Sequence, residues 1–312
     1  MVVRQFTVQS APFMKNMSEQ FGLIHASHGK VDVVGLPAFN DNLIWLLQAV
    51  APADPSVAMP VTVVDPGDAI PVIDYCRRQG LIPTEILLTH HHADHTGGVS
   101  ELLEWGQAQY PDQAMRVYGP AIESIAGVTH PLQGDERLSL ASGVTLTVMS
   151  VPGHTRGHLA YLLGSTGIDG MPTAGRIDPP GLFSGDLLFG LGCGRLFEGT
   201  AAQMYAALLQ VCALPDDTRI YCAHEYTLLN LPFALRVDPD NAVLQARAGE
   251  IRRLRQAGNS TLPLTLAVEK ATNPFLRADQ PVLSAAVCAE ETATALEVFA
   301  RLRAMRDTFK AD

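Results

Sequence analysis

Short apolar runs separated by turn residues dominate the first two thirds of the chain. Residues 31–36, 42–48 and 61–64 read as strands, and Asp65-Pro66-Gly67-Asp68 is a turn signature leading into a helix predicted over 69–79. The alternation continues, with strand-like runs at 86–89, 116–118, 145–150, 160–163, 181–184 and 220–223 and an amphipathic helix opening at 99–105. Many short strands interspersed with helices predict a layered α/β fold with the helices outside the sheets. Residues 164–180 carry neither period nor apolar run and read as a surface excursion.

After residue 229 the pattern becomes helical. Residues 242–256 have helix-forming composition with Val243, Leu244, Ile251 and Leu254 as apolar anchors. The segment 291–310 places Val298, Leu302, Met305 and Phe309 on one helical stripe, with Arg303, Arg306 and Lys310 on an adjacent face. Such a basic face is commonly just solvated, but in an acidic chain it gains weight as an anion site. The expected division is an N-terminal extension over 1–30, poorly ordered, then 31–228 and 229–312.

Composition narrows the class. The chain has 312 residues, 47% hydrophobic and 17% charged, as a globular enzyme does. A formal net charge of -10 opposes nucleic-acid binding. No apolar run approaches the ~20 residues that span a bilayer, and residues 1–30 lack the apolar core of a secretory signal. The five cysteines are scattered and form no C-x-x-C pair, which favours reduced thiols and a cytoplasmic location.

The chemistry concentrates in Thr89-His90-His91-His92-Ala93-Asp94-His95-Thr96-Gly97-Gly98, whose core is His-x-His-x-Asp-His. It follows the strand-like Glu85-Ile86-Leu87-Leu88, so several donors are fixed around one point. Imidazole and carboxylate without thiolate suit zinc, iron or manganese in a reactive site, and one such loop cannot complete it. Completing residues are sought at His154, Asp186 and His224, each beside or within a strand-like run. A lone loop histidine carries little weight; the cluster is what points to metal. His91 and His158 read as supporting residues, and His25, His28 and His130 show no pattern.

With these residues in view the chain resembles glyoxalase II (hydroxyacylglutathione hydrolase) of the metallo-β-lactamase superfamily. The likeness rests on the His-x-His-x-Asp-His loop and on Gly-His-Thr-Arg-Gly-His, Ser-Gly-Asp-Leu-Leu-Phe, Gly-Cys-Gly-Arg-Leu-Phe-Glu-Gly-Thr and Ala-His-Glu-Tyr-Thr. It extends through Thr272-Asn273-Pro274-Phe275-Leu276-Arg277 and the terminal segment, covering about Val31 to Lys310 in the family's order. The resemblance implies an αββα sandwich followed by a helical substrate-binding domain. It implies two divalent ions, zinc first with iron or manganese as alternatives: His90, His92 and His154 around one, Asp94, His95 and His224 around the other, Asp186 between them. It places the substrate against Arg195, Phe197, Tyr226, Arg303 and Arg306.

Many relatives carry Lys at Arg195, Tyr at Phe197 and Lys at Arg306; the version here looks like the bacterial branch. Losing the phenol removes one donor, about 0.5–1.5 kcal/mol. The implied reaction is hydrolysis of S-(2-hydroxyacyl)glutathione thioesters to glutathione and a 2-hydroxy acid, the second step of methylglyoxal detoxification. The nucleophile would be metal-bound water as a shared hydroxide, aided by Asp94. A small-molecule thioester is the expected partner, with no nucleic acid or membrane and a monomer or weak oligomer. The alternatives are another thioesterase, a persulfide dioxygenase, which would not need His224, and a metal-dependent structural module, which would fill its coordination positions with protein ligands.

Overall fold

The structure is a computed structural model that describes residues 22–29, 31–49, 59–164, 179–288 and 293–310. Two mixed sheets stack face to face. The first runs β1(Ile24–Ser27), β2(Val31–Ala38), β3(Asn42–Ala49), β4(Met59–Val64), β5(Leu81–Leu87), β6(Arg116–Pro120), β7(His130–Leu132) in sequence order. The second has the order β15(Leu264–Thr265), β14(Arg219–Cys222), β11(Gly181–Gly185), β10(Leu159–Leu163), β9(Thr145–Ser150), β8(Arg137–Ser139). A separate hairpin pairs β12(Leu188–Phe189) with β13(Gly192–Cys193).

Strands β2 and β3 are apolar on both faces because both faces are covered. Val33, Leu43, Trp45 and Leu47 face the second sheet and meet Leu146, Val148, Tyr161 and Phe183 in one core. Val34, Leu36, Ile44 and Leu46 face outward against Val72 and Ile73 of α1(Ala69–Gln79) and Leu102 of α3(Val99–Gln109). The inner core also takes in Met204 and Leu208 of α4(Ala201–Cys212) and Phe299 and Leu302 of α9(Ala295–Thr308), which gives the expected helix–sheet–sheet–helix layering. Two hydrogen bonds stitch the layers: Trp45 Nε1 donates to Cys222 O (3.0 Å) and Tyr161 Oη to Leu88 O (2.7 Å).

The helix over 69–79 starts where the turn signature places it. Asp68 accepts from Ile70 N at 2.9 Å as N-cap, and Gly80 closes the helix in the left-handed region at φ 66°. The loop after β5 carries a one-turn α2(Ala93–Thr96). The later helices are α5(Thr227–Val237), α6(Ala242–Gln256), α7(Leu266–Thr272) and α8(Pro281–Val287), then α9, capped by Thr294 and Glu297.

Three expectations change. Part of the N-terminal extension is ordered, because Ile24–Ser27 pairs antiparallel with β2 and His28 is buried against Tyr221; residues 1–21 lie outside the described residues. On α9 the buried face is Val298, Phe299, Leu302 and Arg303, whereas Met305 is 39% exposed, so the stripe lies further round the helix than its apolar residues indicate. The 229 boundary divides helix-rich from strand-rich sequence, yet β15 beyond it adds a strand to the second sheet. The excursion at 164–180 falls almost wholly outside the described residues.

Replacing Trp45 with Phe removes the indole donor to Cys222 O between the sheets. Chemical denaturation is expected to show a loss of about 1–3 kcal/mol; an unchanged midpoint would mean that the bond contributes nothing.

Candidate metal centre

The first-sheet loops and the second-sheet loops converge at one edge of the sandwich. Thr89 to Thr96 arrive from β5, His154 from the turn after β9, Asp186 from the end of β11 and His224 from the end of β14. Leu43 N donates to Ala223 O and Glu225 N to Asp41 O, which ties the β2–β3 turn to the His224 strand end. All the donor residues named from the sequence are brought together here: His90, His92 and His154; Asp94, His95 and His224; and His90, His95 and Asp186 form groups whose ligand atoms lie within 4.8 Å of one another.

Hydrogen bonds on the far side of each imidazole fix its tautomer. A carboxylate can only accept, so His95 Nδ1 donates to Asp65 Oδ2 (2.9 Å) and His224 Nδ1 to Asp41 Oδ1 (2.8 Å). His154 Nδ1 donates to Arg195 O at 2.9 Å. The Thr89 hydroxyl gives its hydrogen to Asp65 and therefore accepts from His90 Nδ1 at 3.0 Å. Each of these four rings thus points Nε2 inward, the atom that gives a metal its lone pair once any proton on it has left.

The inward atoms fit two ions. His92 Nδ1 lies 2.9 Å from His90 Nε2 and 3.1 Å from His154 Nε2, and a single N–H cannot satisfy both acceptors. Asp186 turns Oδ2 toward His154 Nε2 (3.3 Å) and Oδ1 toward His95 Nε2 (3.4 Å) and His224 Nε2 (3.3 Å). Asp94 Oδ2 stands 3.4 Å from His224 Nε2. Four donors at about 2.0–2.1 Å in tetrahedral array are separated by about 3.3 Å, so these spacings match a divalent cation. His95 Nε2 and Asp186 Oδ1 are buried with no hydrogen-bond partner, a costly arrangement that a cation would relieve.

The charge balance differs between the two halves. Burial, reinforced by the neighbouring imidazoles His95 and His158, pushes His90 well below its usual pKa, and burial likewise lowers His154 and His92. Burial also acts to lower His95 and His224, but nearby carboxylates override it: Asp186 and Asp65 raise His95 to about 10, and Asp186 raises His224 well above 6.5. Burial opposes ionisation of Asp186, yet His224 and His95 hold its pKa well below the usual carboxylate range.

Above this floor opens a cleft of about 680 Å³. Arg195, Phe197, Tyr226, Arg303 and Arg306 all line it. Tyr226 stacks flat on His224 (4.7 Å), and Phe197 stands edge-on to His92 and His154 with 61% of its surface exposed. The resemblance sets Arg303 and Arg306 together against the substrate, and the structure gives them different surroundings. Arg303 is 5% exposed and donates from Nη1 to Cys193 O (2.8 Å) and from Nη2 to Asp307 (2.9 Å), so its charge is already paired. Among the described residues Arg306 hydrogen-bonds the neutral amide oxygen of Asn230 and no carboxylate, and it remains the cation that α9 offers to the cleft.

The sequence reading missed Asp41 and Asp65. Asp65 was read only as turn chemistry, and its φ of 51° fits that; Asp41 sits in the turn between two strands, where an acidic residue attracts no notice. His158 accepts from Asp186 N (3.1 Å), and His91 contacts Glu123 and Glu198, so both stand outside the donor sets assigned from the resemblance. Cys222 directs its thiol to His224 O and not into the centre.

Comparison with known proteins agrees with this geometry. Residues 59–168 match the metallo-beta-lactamase superfamily model and residues 225–309 the hydroxyacylglutathione hydrolase C-terminus model. The chain is 47% identical over 282 residues to a hydroxyacylglutathione hydrolase of Xanthomonas axonopodis pv. citri, covering 89% of this chain and 99% of that one. It is 46% identical over 295 residues to that of Dechloromonas aromatica, covering 89% and 100%. Among solved structures, ETHE1 from Myxococcus xanthus aligns with TM-score 0.55 at 19% identity over 93% of this chain and 92% of its own. A metallo-beta-lactamase from Staphylococcus aureus aligns at 0.51 and 20% over 85% and 67%; both likenesses are of fold.

Three outcomes test the centre. Asp41→Asn, at a partly exposed carboxylate, is expected to weaken retention of one ion about 10–100-fold with the fold intact; unchanged metal titration would remove Asp41 from the centre. The raised pKa values of His95 and His224 keep both protonated at neutral pH in protein stripped by a chelator. Metal uptake must displace those protons, so calorimetry in buffers of different ionisation enthalpy should show proton release and affinity rising with pH. Without metal, a raised histidine pKa stabilises the fold fully below about 6.5 and ceases to as pH climbs toward about 10. The stripped protein should therefore lose thermal stability across that window.

Proposed function

The chain belongs to the hydroxyacylglutathione hydrolases, and on that footing we propose that it hydrolyses S-(2-hydroxyacyl)glutathione thioesters, S-D-lactoylglutathione foremost, through the paired donor sets at the sandwich edge. The observation that carries this reading is the placement of Asp186, one carboxylate oxygen toward each donor set, on the floor of a cation-lined cleft.

In this reading His90, His92 and His154 hold one divalent ion, Asp94, His95 and His224 hold the other, and Asp186 serves both. Zinc suits an all-nitrogen and oxygen donor set of this spacing, and iron or manganese would be accepted on the same chemistry. Two such ions, when bound, activate water and stabilise charge developing on a thioester carbonyl. The protein's own contribution is orientation. Arg306 and Arg195 offer fixed positive charge to the carboxylates of the glutathione arm, far from the scissile bond. Tyr226 brings a phenol beside His224, and Phe197 places an apolar ring over His92 and His154, which limits water at the acyl end. Asp94 is held by Asn42 Nδ2 (3.1 Å) beside the second donor set. A thiolate leaving group needs little protonation, so no separate protein acid is required.

The fold divides functionally near residue 229, with the metal-bearing sandwich before it and substrate-facing helices after it. No helix among the described residues is long and apolar enough to cross a membrane. The unpaired cysteines favour work on a small thioester in the cytoplasm.

Elemental analysis should find close to two ions per chain, and chelation should abolish turnover of S-D-lactoylglutathione. Asp186→Ala should lose both ions and His224→Ala mainly one; full metal content with normal turnover in Asp186→Ala would sink the shared-carboxylate assignment. Arg306→Ala should raise KM for the glutathione thioester by about 10–100-fold, since a hydrogen bond to charge contributes about 1.5–3 kcal/mol. A small thioester without glutathione carboxylates should be cleaved as before, and an unchanged KM on the natural substrate would make Arg306 a solvated residue.

A further inference from the structure

The run Thr272-Asn273-Pro274-Phe275-Leu276-Arg277 belongs to the family likeness, yet none of its side chains lines the cleft. Its contacts lead instead to the β12–β13 hairpin. This hairpin is short, and its tip residue Leu191 adopts a left-handed φ of 57°. The Leu191 side chain is fully buried among Leu231 and Ala234 of α5 and Leu244, Ala248 and Ile251 of α6.

Side chains from the helical segment also take up the hairpin's backbone polar groups. Leu191 N donates to Glu269 Oε2 at 2.9 Å. Asn273 Nδ2 donates to Phe189 O (3.2 Å) and Gly192 O (3.1 Å), and Asn230 Nδ2 to Gly190 O (3.0 Å). Arg303 donates to Cys193 O. Glu269 is itself immobilised, being fully buried and ion-paired with Arg247, with Asn273 Nδ2 3.0 Å away. Thr272 completes this cluster by accepting from Arg247. A buried ion pair is poor evidence for stability by itself. Here it holds a carboxylate and an amide against one stretch of backbone.

The two feet of that hairpin are the metal centre. Asp186 precedes β12, and Gly194 and Arg195 follow β13. The feet are pressed together: Gly194 N donates to Leu187 O (3.2 Å), and a side chain at Gly194 would bring its Cβ within 2.0 Å of Asp186 O. Arg195 O in turn receives His154 Nδ1. One hairpin therefore carries the shared carboxylate at one foot and orients a histidine of the first donor set at the other.

We propose that Asn273 and Glu269 are positioning residues for the metal centre, acting through the backbone of residues 187–194 to fix Asp186 and His154. The helical segment thus sets the geometry of the ion pair as well as facing the substrate. The inference rests on the reading of Asp186 and His154 as metal ligands. A loosened hairpin should let ions escape and misplace the reacting groups; of the two glutathione-facing cations it carries Arg195, while Arg306 stays on α9.

The test compares the holoenzyme variants Asn273→Ala and Leu266→Ala. The second removes core packing at the start of α7, where the backbone bonds to Thr218 and not to the hairpin. Metal release to EDTA is followed well below both melting temperatures. Asn273→Ala should release its ions faster than Leu266→Ala by about tenfold or more. Its kcat should fall by a larger factor than KM for the glutathione thioester rises. Equal release rates, or a rise in KM alone, would overturn the proposal.

Should Asn273→Ala fail to fold, hydrogen exchange on the native enzyme decides. After the ions are stripped, the Leu191 amide should stay protected while amides of residues 90–96 exchange faster. Loss of protection at both to the same extent would mean that the ions hold the hairpin, and would equally overturn it. Native metal content is read first: fewer than two ions would fail the ligand reading, whereas two ions with equal release rates would fail this inference alone.

Discussion

Everything at the sandwich edge depends on keeping one carboxylate, Asp186, ionised and buried between two sets of imidazoles. A buried carboxylate is costly unless opposite charge and hydrogen bonds meet it. Here the His95 and His224 imidazoles, whose pKa values the carboxylate raises, face Oδ1 at 3.4 and 3.3 Å, and Asp186 N finds His158. The requirement propagates outward. To bind metal, His90, His95, His154 and His224 must each present Nε2 inward, so the other nitrogen needs an acceptor behind it, and Thr89, Asp65, the carbonyl of Arg195 and Asp41 supply those acceptors. The donor set is thus the inner layer of a larger polar network whose outer members lie in turns of both sheets.

That network explains the form of the fold around it. The two sheets are locked across their interface by Trp45 and Tyr161, so loops from opposite sheets keep a fixed separation. Gly67 packs so tightly under Asp94 that a Cβ would lie 1.9 Å from Asp94 O, which leaves the ligand loop no room to retreat. On the other side the β12–β13 hairpin is gripped by the helical segment. The cleft is therefore walled by rigid elements, with Arg195, Phe197 and Arg306 at its mouth. In the proposed function a preorganised floor and a cationic rim would divide the work: the floor would fix the reacting atoms, and the rim would collect a doubly carboxylated substrate in a chain that is otherwise acidic.

Much of this was legible in the sequence, for reasons that are local. Apolar runs, a turn signature and capping residues act over a few positions, so the helix over 69–79 and the strand over 145–150 emerge at their observed limits. The donor residues were legible because their loop packs four of them into six positions after a strand, and the family likeness supplied the rest. Tertiary contacts decided what local pattern cannot carry. Ile24–Ser27 becomes a strand only because β2 offers an open edge. Arg303 turns inward because Cys193 O lies beneath it, with Asp307 one turn further along the helix, although its helical spacing puts it beside Arg306. Asp41 and Asp65 are ordinary turn acids until folding brings His224 and His95 to them, across 183 and 30 positions of chain. The sequence by itself determined which groups can bind metal, since that is a property of side-chain chemistry. Only the tertiary structure decided which nitrogen of each ring faces inward and what holds it there, because those hydrogen bonds join residues that no short-range pattern connects.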